Sequence, residues 1–346
     1  MAAGRVTRKR VLLTSAALAA ALGVTIAGAV LIGSQLRFAD VIHTIVAGRG
    51  STTGTSPETV YTVVVRFRLP RVLLAMLTGC ALAAAGTAFQ GLLRNPLADP
   101  YILGVSSGAA LGAVVAMLFL GASGQPGLLV PLAVAGALGA ITVVYVTSNV
   151  RGHISRHTLL LVGVVVNACL GAAIAFLTAL ASPMRLTEVI RWLMGVLDSP
   201  FAPESTLPVL AAAVAVGFVV LYLEAGRLNL LALGEEPASQ LGVNTERTKR
   251  LCFLAASLVT AATVSVTGPI GFVGLIVPHV VRLIGGADHR LLLPAATLAG
   301  GIFLVLCDAV ARALGNLFPV GVLTAVFGGP FFIFLLKREQ GRSYFD

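Results

Sequence analysis

Few residues in this chain could do chemistry. Its lysines are Lys9, Lys249 and Lys337, and each is followed by an arginine. A phosphate-cradling loop of the G-x-x-x-x-G-K-[ST] type needs Ser or Thr after its lysine, because that hydroxyl holds magnesium. No such loop exists here, so any ATP must be hydrolysed by a partner. The four cysteines, Cys80, Cys169, Cys252 and Cys307, lie singly in apolar runs. Neither they nor the histidines have metal-ligand spacing, so no metal site and no catalytic residue is expected. Coupling to an ion gradient would need ionisable groups at mid-membrane depth. Asp308 is the one carboxylate deep in an apolar run, and Arg312 stands four residues on, where the two can pair across a helical turn. That reads as a helix-end pair near the outer surface. Asn167, in the middle of another run, suits a hydrogen bond between helices or a place on a path.

Two charged stretches stand out. The first, Arg227–Arg250, carries seven charges: Arg227, Glu235, Glu236, Glu246, Arg247, Lys249 and Arg250. Hydrocarbon cannot hold it, so it belongs in water or against a soluble partner, on the cytoplasmic side by its basic residues. Pro237 suits a first helical turn, and Gly242 followed by Asn244 suits a stop and a restart. Two short helices are predicted, with Ala238, Leu241 and Val243 forming an apolar docking face; an ordinary solvated loop is the plain alternative. The second stretch, Arg66-Phe-Arg68-Leu-Pro-Arg71, is basic and external. It either anchors the interface by snorkelling or attracts acidic groups of an external protein. Trp192, beside Arg185, Glu188 and Arg191, would mark the membrane interface.

The elements that position these residues follow from hydropathy. Of 346 residues, 57% are hydrophobic and 11% charged, with mean hydropathy +0.96. Soluble domains carry about 25% charge, so this is an all-α integral membrane protein. Its excess of 24 Lys and Arg over 14 Asp and Glu reflects topology rather than nucleic-acid binding. Ten spans are expected, at 11–33, 72–93, 101–120, 128–150, 158–181, 205–223, 251–267, 269–284, 291–311 and 318–336. Residues 1–10 and 337–346 then form cytoplasmic ends around a ten-helix membrane domain at 11–336. The run 251–281 is split at Gly268-Pro-Ile-Gly271, because one span would spoil the basic bias inside. Gly48–Pro57 reads as a flexible external insertion. Gly104, Gly108 and Gly112, with Gly136 and Gly139, would let helices approach closely. A faint echo between Phe89–Pro96 and Phe272–Pro278 hints at an internal repeat.

Larger motifs carry a family resemblance. Arg68-Leu-Pro-Arg71, Gln90-Gly-Leu-Leu-Arg-Asn-Pro-Leu-Ala-Asp-Pro-Tyr-Ile-Leu-Gly-Val-Ser-Ser-Gly-Ala109, Arg191-Trp-Leu-Met-Gly195, Leu241-Gly-Val243 and Gly268-Pro-Ile-Gly-Phe-Val-Gly-Leu-Ile-Val-Pro-His279 resemble the FecCD family. These are permease subunits of type II ABC importers for iron–siderophores, haem and vitamin B12. The resemblance implies a ten-helix homodimer in the bacterial inner membrane, with both termini cytoplasmic and one central path. It implies two ATPase subunits below, which bind the ATP and magnesium, and a periplasmic or lipid-anchored binding protein above. The chain itself would hold no cofactor and be no enzyme. Arg227–Arg250 corresponds to the coupling helices, so Gly234, Glu235, Ala238, Leu241 and Gly242 would face the ATPase. Arg68 and Arg71 match arginines that meet acidic residues of the binding protein, and Arg312 matches a third. Asn167 falls in a path-lining helix. The implied substrate is an iron chelate of siderophore type, with haem or cobalamin as alternatives. An ion-coupled transporter and a membrane scaffold are the other classes; sparse intramembrane charge argues against the former.

Overall fold

The computed structural model describes residues 7–32, 62–120, 126–150, 153–197 and 206–343. The insertion at 48–57 and the extreme ends, 1–6 and 344–346, lie outside the described residues. Helix α1 (Arg8–Leu31) comes first, and a π-helical turn at Thr62–Arg68 runs straight into α2 (Leu69–Leu93). A 3-10 turn at Pro100–Leu103 leads to α3 (Val105–Phe119) and α4 (Pro126–Ser148). A small antiparallel hairpin follows, β1 (Asn149–Val150) and β2 (His153–Ile154), with Asn149 opposite Ile154. Then come α5 (Arg156–Ala179), the short α6 (Pro183–Leu193) and α7 (Thr206–Leu233). The chain finishes with α8 (Glu235–Gln240), α9 (Thr245–Thr267), α10 (Val273–Gly285), α11 (His289–Ala313) and α12 (Val320–Ser343).

Among the described residues, seven helices are long and apolar enough to cross a membrane, and three shorter apolar ones are α3, α10 and the stretch Val320–Ile333 of α12. They fall where hydropathy places the spans. The break at Gly268–Gly271 is real: α9 stops at Thr267 and α10 starts at Val273. Some boundaries differ from expectation. The helix containing α2 begins at Thr62, so Arg66, Arg68 and Arg71 sit on helical turns rather than in a polar segment. Helix α12 continues to Ser343, through most of the end expected at 337–346. Trp192 does not mark an interface. It is buried, with Val189, on the inner side of amphipathic α6.

Helix α2 is the axis of the bundle. Within its apolar window 83% of residues are buried, against 11% for α5. It packs most extensively on α11 and also on α9, α7 and α10. Missing side chains allow this. A Cβ on Gly86 would lie 1.9 Å from the carbonyl oxygen of Gly274, so α2 and α10 touch backbone to backbone. Gly108, Gly112 and Gly136 serve the same end between α3 and α4, whereas Gly139 faces open space and Gly104 turns the chain at φ 76°. Helix α9 is buried despite its many hydroxyls. Thr260, Thr263, Ser265 and Thr267 return their hydrogen bonds to carbonyls four residues back, which removes the cost of placing them in an apolar bundle.

Candidate functional site

Two charged corners lie at opposite ends of α2, roughly 35 Å apart at about 1.5 Å of rise per residue. The first is built where α7 ends. Arg94, just past α2, reaches across: its Nε donates to the Leu231 carbonyl (3.0 Å) and its Nη2 to that of Ala232 (2.9 Å). Last-turn carbonyls have no partner within their own helix, so this clasp satisfies them. Gly234 then turns the chain at φ 141°, where a Cβ would lie 2.8 Å from the Pro237 ring. Helix α8 follows, with Glu235 and Glu236 in its first turn, where the helix dipole favours acids. It ends in a Schellman turn. The Val243 N–H donates to the Ala238 carbonyl (3.0 Å) and the Gly242 N–H to that of Ser239 (2.9 Å), with Gly242 at φ 82°. Asn244 restarts the helix by accepting from the Arg247 N–H at 2.9 Å.

This geometry splits the apolar face read from the sequence. The 6→1 bond of the turn draws Ala238 and Val243 together on the inner side, and both are buried. Ala238 therefore packs inward and presents no surface. Gly234 is buried as well. Leu241 is left outside, 61% exposed, next to Gly242, which has open space around it. Nor are there two short helices: the second is the opening turn of α9, and Arg227 lies on the last turns of α7.

Behind that corner sits a buried cation. Lys249 has a side-chain exposure of 2%, yet its Nζ finds three acceptors. They are the Ile154 carbonyl (2.8 Å), Glu235 (2.9 Å) and Glu246. Glu246 also accepts from the Ile154 N–H at 2.9 Å, and Arg156 pairs with Glu235 at 3.1 Å. Glu224, also buried, holds Arg227 and accepts from Thr248 at 3.0 Å. Sequence reading missed this cluster. Its one local signal was the Glu246–Lys249 pair three residues apart on α9; the hairpin partner is 95 residues away.

The second corner reverses the signs. Asp308 on α11 is fully buried, and its two oxygens accept from Arg71 Nε and Arg312 Nε, each at 2.8 Å. Arg71 also donates to Asn316 at 3.0 Å. Arg68 donates to the Val30 carbonyl at 3.1 Å, at the end of α1. The structure thus brings Arg71 and Arg312 together on one carboxylate and holds Arg68 beside them against α1. A pocket of about 300 Å3 opens next to the pair, lined by Arg71, Arg191, Asn316 and residues 317–320.

Asn167 lies on α5, half-buried, where it accepts from the Ser107 hydroxyl of α3. It is a helix-to-helix link. Among the described residues no group of three His, Cys, Asp or Glu could hold a metal ion.

The model of the FecCD transport family matches residues 10–338, nearly the whole chain. The chain belongs to the FecCD transport family. It is 48% identical to the cobalamin import system permease of Halobacterium salinarum, over 83% of this chain and 76% of that one. It is 44% identical to the hemin transport system permease of Yersinia pestis, over 79% and 82%. A solved structure described as an inward-facing metal-chelate type ABC transporter superposes with a TM-score of 0.79 at 29% identity, covering 94% of this chain and 99% of that one. For a FecCD protein the two corners are the natural places to look for partners, because they are the charged clusters at either end of its most buried helix.

Proposed function

We propose that this chain is the permease subunit of a binding-protein-dependent ABC importer in the bacterial inner membrane. Ten helices would cross the bilayer, with both termini cytoplasmic, and two copies would enclose one path. Two ATPase subunits, which carry the ATP and magnesium, would grip the corner at Leu241–Gly242. A periplasmic or lipid-anchored binding protein would dock on the opposite corner, at Arg68, Arg71 and Arg312. The observation that carries this reading is the shape of the first corner. Leu241 projects from a turn locked by Gly234, the Arg94 clasp and the Schellman bonds, so a partner meets a preformed knob at little entropic cost. Of the five residues expected to meet the ATPase, Leu241, Gly242 and the half-exposed Glu235 are available to touch it. Gly234 and Ala238 would shape the corner from inside. At the other end, Asp308 fixes the Nε of both arginines, Arg71 also holds Asn316 and Arg312 reaches the Ile32 carbonyl, so this corner offers acidic groups a positive field rather than free guanidinium donors.

Substrate is a metal chelate in this reading. The family resemblance favours an iron–siderophore complex. The cobalamin and hemin permeases among the relatives support a tetrapyrrole equally well. The test pairs the permease with its ATPase and binding protein in proteoliposomes. Leu241→Asp should abolish ATPase association, and uptake of hemin, cyanocobalamin or a ferric hydroxamate should fall at least tenfold. Normal association and uptake would refute the docking assignment.

A further inference from the structure

Helix α5 is tied to the first corner by polar contacts at its very start and packs along the rest on α3, α4 and the 3-10 turn through one apolar face. The residue before its N-cap, Ile154, has both backbone groups held by α9: the carbonyl by Lys249 and the N–H by Glu246. Ser155 caps the helix, and the residue after it, Arg156, pairs with Glu235 of α8. Ile154 is thus fixed to α9 and Arg156 to α8, with the Ser155 cap of α5 between them. Beyond them, Leu159 and Gly163 are the fully buried residues of α5, Leu160, Val162, Val166, Ile174 and Leu177 pack partly buried against the core, and the opposite face is uncovered in the single chain. Its polar link to the bundle is Asn167 with Ser107, about three turns further on. A helix so held moves with whatever holds its first turn.

From this we infer that Lys249 is a positioning residue that transmits displacement of α8 to α5, through the Ile154 carbonyl and Glu235. The geometry is specific to that task. An ammonium has three donors, and here each goes to a different element: Ile154 of the hairpin, Glu235 of α8 and Glu246 of α9 itself. The ammonium of Lys249 spends all three donors on these partners, so one buried atom ties the three elements together. The carboxylates are less covered, 42% for Glu235 and 21% for Glu246, so the cluster is open on the side where a partner would press. The inference rests on the docking reading above and extends it from the surface to the helix that the surface would drive.

The test measures uptake per ATP hydrolysed in the assembled complex, again with hemin, cyanocobalamin and a ferric hydroxamate offered as probes. Lys249→Met should leave the ATPase bound, as read by co-purification, and lower uptake per ATP at least fivefold. If that variant assembles poorly, Lys249→Met with Glu246→Met is decisive, since it leaves no buried charge unpaired while still lacking the link to Ile154. A purely structural role would lower hydrolysis and uptake together and leave their ratio unchanged. An unchanged ratio in the assembled double variant therefore overturns the inference. Leu241→Asp, run beside them, separates the two claims. If Leu241→Asp releases the ATPase but the lysine variants keep the wild-type ratio, only the clamp is wrong. Should Leu241→Asp keep the ATPase bound, the docking reading fails.

Discussion

The two charged corners are mirror images in charge and opposites in burial. At one, a carboxylate holds two guanidiniums; at the other, an ammonium holds two carboxylates and a backbone carbonyl. All three side chains of the Asp308 cluster are largely covered, at 0%, 13% and 8% exposure. They join α2 and α11, the most extensively packed pair in the bundle. In the Lys249 cluster Lys249 and Arg156 are covered while Glu235 stays half in water, and the elements joined are a six-residue helix, a small hairpin, the start of α5 and the buried helix α9. Charge placed between well-packed helices makes a rigid platform. Charge that ties a short helix and a small hairpin to a packed helix makes a joint. The fold would thus present a fixed surface to the binding protein and a movable one to the ATPase.

The strongest challenge to this contrast is Asp308→Asn. It leaves two buried guanidiniums sharing a neutral partner and should cost about 3 kcal/mol or more. Thermal unfolding in detergent should show a large drop, and a change within error would mean the platform is not held by this carboxylate. Next in size is Gly234→Ala. It forces a Cβ against the Pro237 ring at a backbone angle that only glycine adopts readily, and should cost about 1–3 kcal/mol. The loss should show as faster proteolysis near α8 rather than as global unfolding. Wild-type resistance would show that the corner tolerates distortion. Glu235→Gln should be the mildest, under about 1 kcal/mol, because Glu235 is half in water and Lys249 keeps its other acceptors. A loss as large as that of Asp308→Asn would erase the difference between joint and platform. Charge reversal at Arg68 probes function instead, with Arg71 left in place because a carboxylate there would face buried Asp308. It should weaken binding-protein affinity at least tenfold, with the larger loss at low salt, because rim charges are screened. Unchanged affinity would move the docking site elsewhere.

Much of this was legible before any coordinates. Hydropathy located the helices, and glycine spacing marked Gly108, Gly112 and Gly136 as places of close approach, though not which helices meet there. Gly242 followed by Asn244 announced the stop and restart that the Schellman turn and the Asn244 cap carry out. What stayed hidden depends on partners far apart in the chain. Nothing local to Arg94 shows that it clasps the end of α7, 137 residues on. Asp308 was paired with Arg312 by spacing, but Arg71, 237 residues earlier, needed the fold to bring it in. The face assigned to Ala238, Leu241 and Val243 assumed unbroken helical periodicity, and a six-residue helix closed by a left-handed glycine does not preserve it.

The central claim, that Leu241 and Gly242 form the grip for a separate motor, can be tested with a single thiol. Leu241→Cys in a chain whose native cysteines are replaced should react with a membrane-impermeant maleimide only from the cytoplasmic side. Bound ATPase should slow that reaction at least tenfold. Labelling from outside intact cells, or labelling that the ATPase leaves unchanged, would contradict the account.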